Sequence, residues 1–150
     1  MNRVMKKIFL LLFAGLFLLT GCDIHKTYET YEVISGVDLK TIYCDVKADR
    51  WDIVDDVDEG CYLYQVLDFP EITSNVISDG AVLVYLIDES GRDNVLPYVF
   101  PLDNGVMKNI RYDVSEGHLT IIMEWSDPSF IVESNCKIKV CIFYNMNKKK

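Results

Sequence analysis

The chain is poor in the residues from which metal and acid–base sites are usually built. It has two histidines, and none of its five cysteines stands in a CxxC pair. A zinc site closed by Cys and His ligands is therefore not expected, and neither is any cofactor. No apolar run reaches the roughly 20 residues that a spanning helix needs; residues 8–19 give twelve. Positive charge is also scarce, with 15 Lys and Arg against 23 Asp and Glu, a net charge of −8. A field of that sign repels phosphate, which argues against nucleic acid and against direct docking on anionic head groups. Helical periodicity is nearly absent, which excludes a helical bundle.

What the chain does have begins at its start. Arg3, Lys6 and Lys7 precede the apolar run with no acid among them, the charged and apolar regions of an export signal. The run closes on Leu19-Thr20-Gly21-Cys22, which resembles the lipobox of bacterial lipoproteins. That resemblance implies a diacylglyceryl group on the Cys22 thiol, cleavage before it, and often acylation of the new amine. Two or three acyl chains hold a protein stably at a bilayer where one does so only marginally. The expected organisation is a signal peptide over 1–21, an acylated cysteine and tether over 22–35, and a domain over 36–147. Residues 28–34, alternating in Tyr, Thr and Val, could equally be a first strand. Loss of three positive charges and no negative ones takes the net charge from −8 to −11 over the remaining 129 residues. That length suits one domain with a core of its own. Asp23 follows the anchor directly, which leaves the cell membrane or the outer membrane open as its location, facing the periplasm or the cell surface. Lys148, Lys149 and Lys150 read as a solvated end.

Short runs with period-two alternation recur along the rest. Residues 41–47 place Ile42, Cys44 and Val46 on one side; residues 61–69 form a strand stopped by Pro70, which cannot donate into a ladder. A helical turn fits 72–78, with Gly80 just beyond. Residues 81–87 are apolar on both faces and suggest a central strand covered on both sides, and 88–94 a polar turn. Residues 96–100, bracketed by Pro97 and Pro101, should lie at an edge or carry a bulge. Residues 106–114 and 118–125 make the clearest hairpin. With Glu116-Gly117 as its turn, Val114 faces Leu119, Tyr112 faces Ile121 and Ile110 faces Met123; a one-residue slip would turn three of the six to water. The final strand, 136–143, directs Ile138, Val140 and Ile142 inward and Lys137 and Lys139 outward. Seven or eight such strands argue an all-β antiparallel sandwich, with a closed barrel as the alternative.

The order of features, with Trp51 after the first strand, Tyr62 and Tyr64 on the second, Asp79-Gly80-Ala81-Val82-Leu83-Val84-Tyr85, Leu96-Pro97-Tyr98 and a β-branched closing strand, resembles a group of small, uncharacterised lipoproteins of gut anaerobes. The likeness spans residues 40–144. It implies an immunoglobulin-like β-sandwich and carries no activity, ligand or catalytic residue with it.

Candidate chemistry is thin. Asp113, Ser115 and His118 gather at the hairpin tip with Ser115 opposite His118, but an exposed tip offers no oxyanion hole. Asp56-Val57-Asp58-Glu59-Gly60 alternates carboxylates as calcium loops do, yet the twelfth position is Leu67 where a bidentate glutamate is needed. Paired carboxylates for glycoside hydrolysis have little room for a cleft in so short a chain. Cys44, Cys61, Cys136 and Cys141 allow three complete pairings. Cys136 and Cys141 would stand about 16 Å apart on one strand and cannot bridge; buried or half-buried thiols with at most one bridge are the expectation. Aromatic side chains remain, since those left on a sheet face can stack on sugars or anchor a protein. Tyr98, held between prolines on an edge, and Trp125 are the candidates for ligand binding.

The expected function is thus a lipid-anchored, non-enzymatic envelope module whose partners are the membrane, through its lipid, and a glycan or envelope protein. A periplasmic inhibitor or assembly factor is the alternative, and a small hydrolase a more distant one. Replacing Cys22 by Ser is expected to leave an uncleaved precursor that takes up no labelled palmitate. Label persisting in the Ser variant would place the lipid elsewhere.

Overall fold

The structure is a computed structural model that describes residues 26–31, 37–56 and 60–145. Two five-stranded antiparallel sheets pack face to face. Alternation dictates this arrangement: a strand with one apolar side must bury that side, and two sheets do so against each other. The first sheet runs β1 (Lys26–Tyr31), β2 (Val37–Val46), β10 (Cys136–Asn145), β5 (Ala81–Ile87), β6 (Asp93–Val95). The second runs β3 (Asp52–Asp56), β4 (Gly60–Asp68), β9 (His118–Trp125), β8 (Met107–Ser115), β7 (Tyr98–Pro101).

The all-β sandwich expected from the sequence is therefore what the chain forms, with ten strands among the described residues instead of seven or eight. Two of the additions explain the difference. Residues 26–31, placed in the tether, pair along β2 from Lys26 opposite Cys44 to Tyr31 opposite Leu39, so the sandwich begins ten residues before position 36. The polar stretch 88–94 is a shorter turn than expected. Asp88 Oδ1 accepts from the backbone of Ser90 and Arg92 at 2.9 Å each, which closes the turn early and leaves Asp93–Val95 free to pair with β5. Strand β5 corrects a further expectation: Leu83 is 37 % exposed and Ala81 is exposed, so it is covered on its inner side and open on its outer one.

The inner faces make the core. Ile42, Cys44 and Val46 of β2 meet Ile138, Val140 and Ile142 of β10, and all six are buried. Across from them lie Leu63 and Leu67 of β4 and Leu119, Ile121 and Met123 of β9. The Tyr112 hydroxyl donates to the carbonyl of Val82 at 2.9 Å and ties one sheet to the other. The β8–β9 register is the one that the sequence specifies, with Val114 opposite Leu119, Tyr112 opposite Ile121 and Ile110 opposite Met123. Gly117 turns the chain with a left-handed φ of 77°. The tip is less free than its sequence suggests, because Gly117 accepts from Phe69 N–H and donates to the Ile72 carbonyl, both at 2.8 Å.

Between β4 and β5 the chain makes one short helix, α1 (Ser74–Asp79), capped by the Thr73 hydroxyl, which accepts from Val76 N–H. Gly80 ends it with an ordinary extended backbone, so its need for glycine is steric. A Cβ there would collide with the carbonyl of Phe143 on the central strand β10 and lie 2.9 Å from the carbonyl of Val76. Gly91, by contrast, has a φ of 76° and open space around it. Gly80→Ala is expected to cost about 1–3 kcal/mol, as overpacking does, and more than Gly91→Ala. Urea unfolding of the two variants measures both, and a Gly80→Ala midpoint equal to that of the wild type would refute the steric account.

Candidate functional site

A sandwich has two outer faces, and alternation decides what each displays. On the second sheet the outward positions form rows through paired residues. Tyr64, Ile122 and Arg111 make one row and Tyr62, Glu124 and Asn109 the next. Tyr62 and Tyr64 alternate on β4, so both rings rise from the same side. Their centroids are 6.5 Å apart, with ring planes inclined by 60°. Beneath them Ile122 is only 5 % exposed although it points away from the core. Neighbouring side chains therefore cover it and form a second, thin apolar layer.

The polar half of the face is a fixed network. Arg111 donates from Nε and Nη2 to Oε1 of Glu124 at 3.1 Å each, and from Nη1 to Asp113 at 3.3 Å. Asn109 Nδ2 donates to the other oxygen of Glu124 at 2.9 Å, while Asn109 Oδ1 is buried with no protein donor. Planar polar groups held beside aromatic rings are what a sugar requires, since stacking orients the ring and hydrogen bonds read its hydroxyls. Exposed Val66 and Val99 flank the array.

The outer side of the first sheet differs. Two shallow depressions of about 430 and 390 Å³ share Asp45, Ile87 and Lys137. Much of the surrounding charge is paired internally, Asp45 with Lys47 at 3.8 Å, Asp88 with Arg92 at 2.9 Å, and Asp93 with Lys139. Lys139 also lies over the Tyr85 ring at 4.3 Å, which occupies that aromatic face.

The residues singled out from sequence are dispersed. Trp125 is 7 % exposed, inside the core, with Lys108 Nζ 4.7 Å above its ring, so it offers a ligand little surface. Tyr98 does lie on an edge strand, but its side chain points inward, half-buried, and stacks on Phe100 at 5.5 Å. Ser115 stands opposite His118 as expected. His118 Nδ1 donates to the Glu116 carbonyl at 3.0 Å, its Nε2 lies 3.7 Å from Asp68, and Asp113 is held by Arg111. A serine, a base and an orienting acid are thus not brought into line. Cys22, His25 and residues 57–59 of the acidic run lie outside the described residues, and no metal-binding group occurs among those described. Tyr62 and Tyr64 were visible in the sequence as strand aromatics; their partners Arg111 and Glu124 come from other strands and only pairing reveals them.

Comparison with protein-family models, with curated proteins and with solved structures returned no match.

All four described cysteines are free. Burial pushes the thiols of Cys44 and Cys136 up to about 12, where the nucleophilic thiolate is scarce. At pH 8, Cys44 and Cys136 are expected to resist iodoacetamide in the folded chain and to react once urea unfolds it. Mass mapping of the labelled peptides checks this, and rapid native labelling of Cys136 would overturn it.

Proposed function

We propose that this chain is a lipid-anchored, non-enzymatic module of the bacterial cell envelope that holds a glycan on the outer face of its second sheet. The observation that carries this reading is the array just described, two inclined tyrosines on β4 beside a hydrogen-bonded Arg111–Glu124–Asn109 network. Such a surface supplies stacking and directional hydrogen bonds without a nucleophile, an activated acid or a water-excluding cleft.

The anchor fits the same picture. On the lipobox reading, Cys22 precedes β1 by four residues, a reach of at most about 14 Å. Strand β1 belongs to the first sheet, so the outer face of the second is turned the opposite way from the sheet that carries the anchor. A short leash on one sheet leaves the other free to meet a polymer at the cell membrane or outer membrane.

Tyr98 and Trp125 serve the core in this reading and Tyr62 and Tyr64 take the ligand. Tyr64→Ala is expected to lower retention of the full chain, in mild detergent, on immobilised envelope polysaccharide of the producing bacterium, and Tyr64→Phe, which keeps the ring over Ile122, to preserve it. Tyr98→Ala should instead lower the melting temperature. Undiminished retention of the Tyr64 variant would move the site elsewhere, and new reducing ends released by the pure wild-type chain would defeat the non-enzymatic claim.

A further inference from the structure

Resting on the glycan reading above, we infer that the ligand is a single, soluble, uncharged glycan chain, and that crystalline and polyanionic polysaccharides are excluded. Two independent features of the face carry this.

The first is ring geometry. A crystalline polysaccharide presents a plane, and aromatic side chains grip a plane only when their rings are coplanar with it. Tyr62 and Tyr64 are inclined by 60° with centroids 6.5 Å apart, so when one ring lies flat on a plane the other is tilted steeply out of it. A separate chain, free to twist between neighbouring sugars, can offer a ring face to one tyrosine and an edge to the next. Flat adsorption is thus geometrically blocked and binding of one chain is not.

The second is charge. Arg111 is the one guanidinium or ammonium among the outward positions of the paired rows from Ser115–His118–Asp68 to Asn109–Glu124–Tyr62, and those rows also hold Asp52, Asp68, Asp113 and Glu124. Arg111 already donates to Glu124 and Asp113. A uronate or sulfate would have to displace those carboxylates, and it would meet Asp52, Asp113 and Glu124 without their cation in doing so, with Asp68 beyond them beside His118. Sugar hydroxyls carry no such penalty. They can donate to the carboxylate oxygens while their C–H faces lie on the tyrosines.

The test is affinity electrophoresis of the full chain in mild detergent through gels containing, separately, a soluble β-glucan, mannan, galactan, xylan, arabinan and polygalacturonate. Co-sedimentation with microcrystalline cellulose and crystalline chitin accompanies it. At least one neutral polymer should retard the chain and polygalacturonate should not, and neither crystal should pull it down. Tyr62→Ala and Tyr64→Ala should each weaken the retardation about tenfold, the loss of roughly one stacking contact, while Tyr64→Phe keeps most of it. Retardation by polygalacturonate, or sedimentation with either crystal that the tyrosine variants abolish, would overturn this inference and leave glycan binding standing. No retardation by any of the polymers and no sedimentation would bring down the glycan reading as well.

Discussion

Everything in the first sheet depends on β10. It is the last of the described strands and the central one in its sheet, paired along ten residues with β2 and along seven with β5. Ile138, Val140 and Ile142 project from it into the core at 0 % exposure. Without β10, β2 and β5 would each lose a ladder and the buried face would split in two. Contacts of such long sequence separation must be formed against the entropy of closing the whole chain. The sandwich is therefore complete only when residues at opposite ends of the sequence have met. The collision that a side chain at Gly80 would make with the β10 backbone expresses the same constraint from the side of α1.

The second sheet is built more locally, and this is why it can hold a precise surface. β8 and β9 form one hairpin, and β4 adds to β9 in a register that aligns Tyr64 with Ile122 and Tyr62 with Glu124. Backbone pairing positions Arg111, Glu124 and Asn109, and the hydrogen bonds among them then fix their side chains. A rigid scaffold lowers the entropy a ligand must overcome on ordering its site. The sheets are joined at one side by the chain passing from β6 to β7, where Leu96 is buried. Near β1, Glu71 holds Lys40 at 3.3 Å and Lys26 at 3.8 Å, and Lys26 lies 3.9 Å above the Phe69 ring. Both strands of the first pair, β1 and β2, are thus tied to the loop that follows β4.

Period-two alternation, which needs nothing beyond the order of residues, determined most of the architecture. It identified the apolar sides of β2, β9 and β10, and burial of the hairpin's one apolar face left a single β8–β9 register. It failed where pattern and pairing part company. Gln65 is polar but sits on the inward side of β4, 6 % exposed, because the strand around it is committed by Leu63 and Leu67. Leu83 is apolar but points to solvent for the same reason. β1 was readable as a tether because short polar-looking strands declare themselves only once a partner edge is offered, here by β2. Aromatic residues were visible from the start, yet which of them face outward was not. Tyr98 and Trp125 took inward positions, Tyr62 and Tyr64 outward ones, and the parity of a strand becomes inside or outside only when a second sheet covers one of its faces. The candidate site joins three strands from three stretches of sequence, so its composition was in the residues and its existence was decided by tertiary pairing alone.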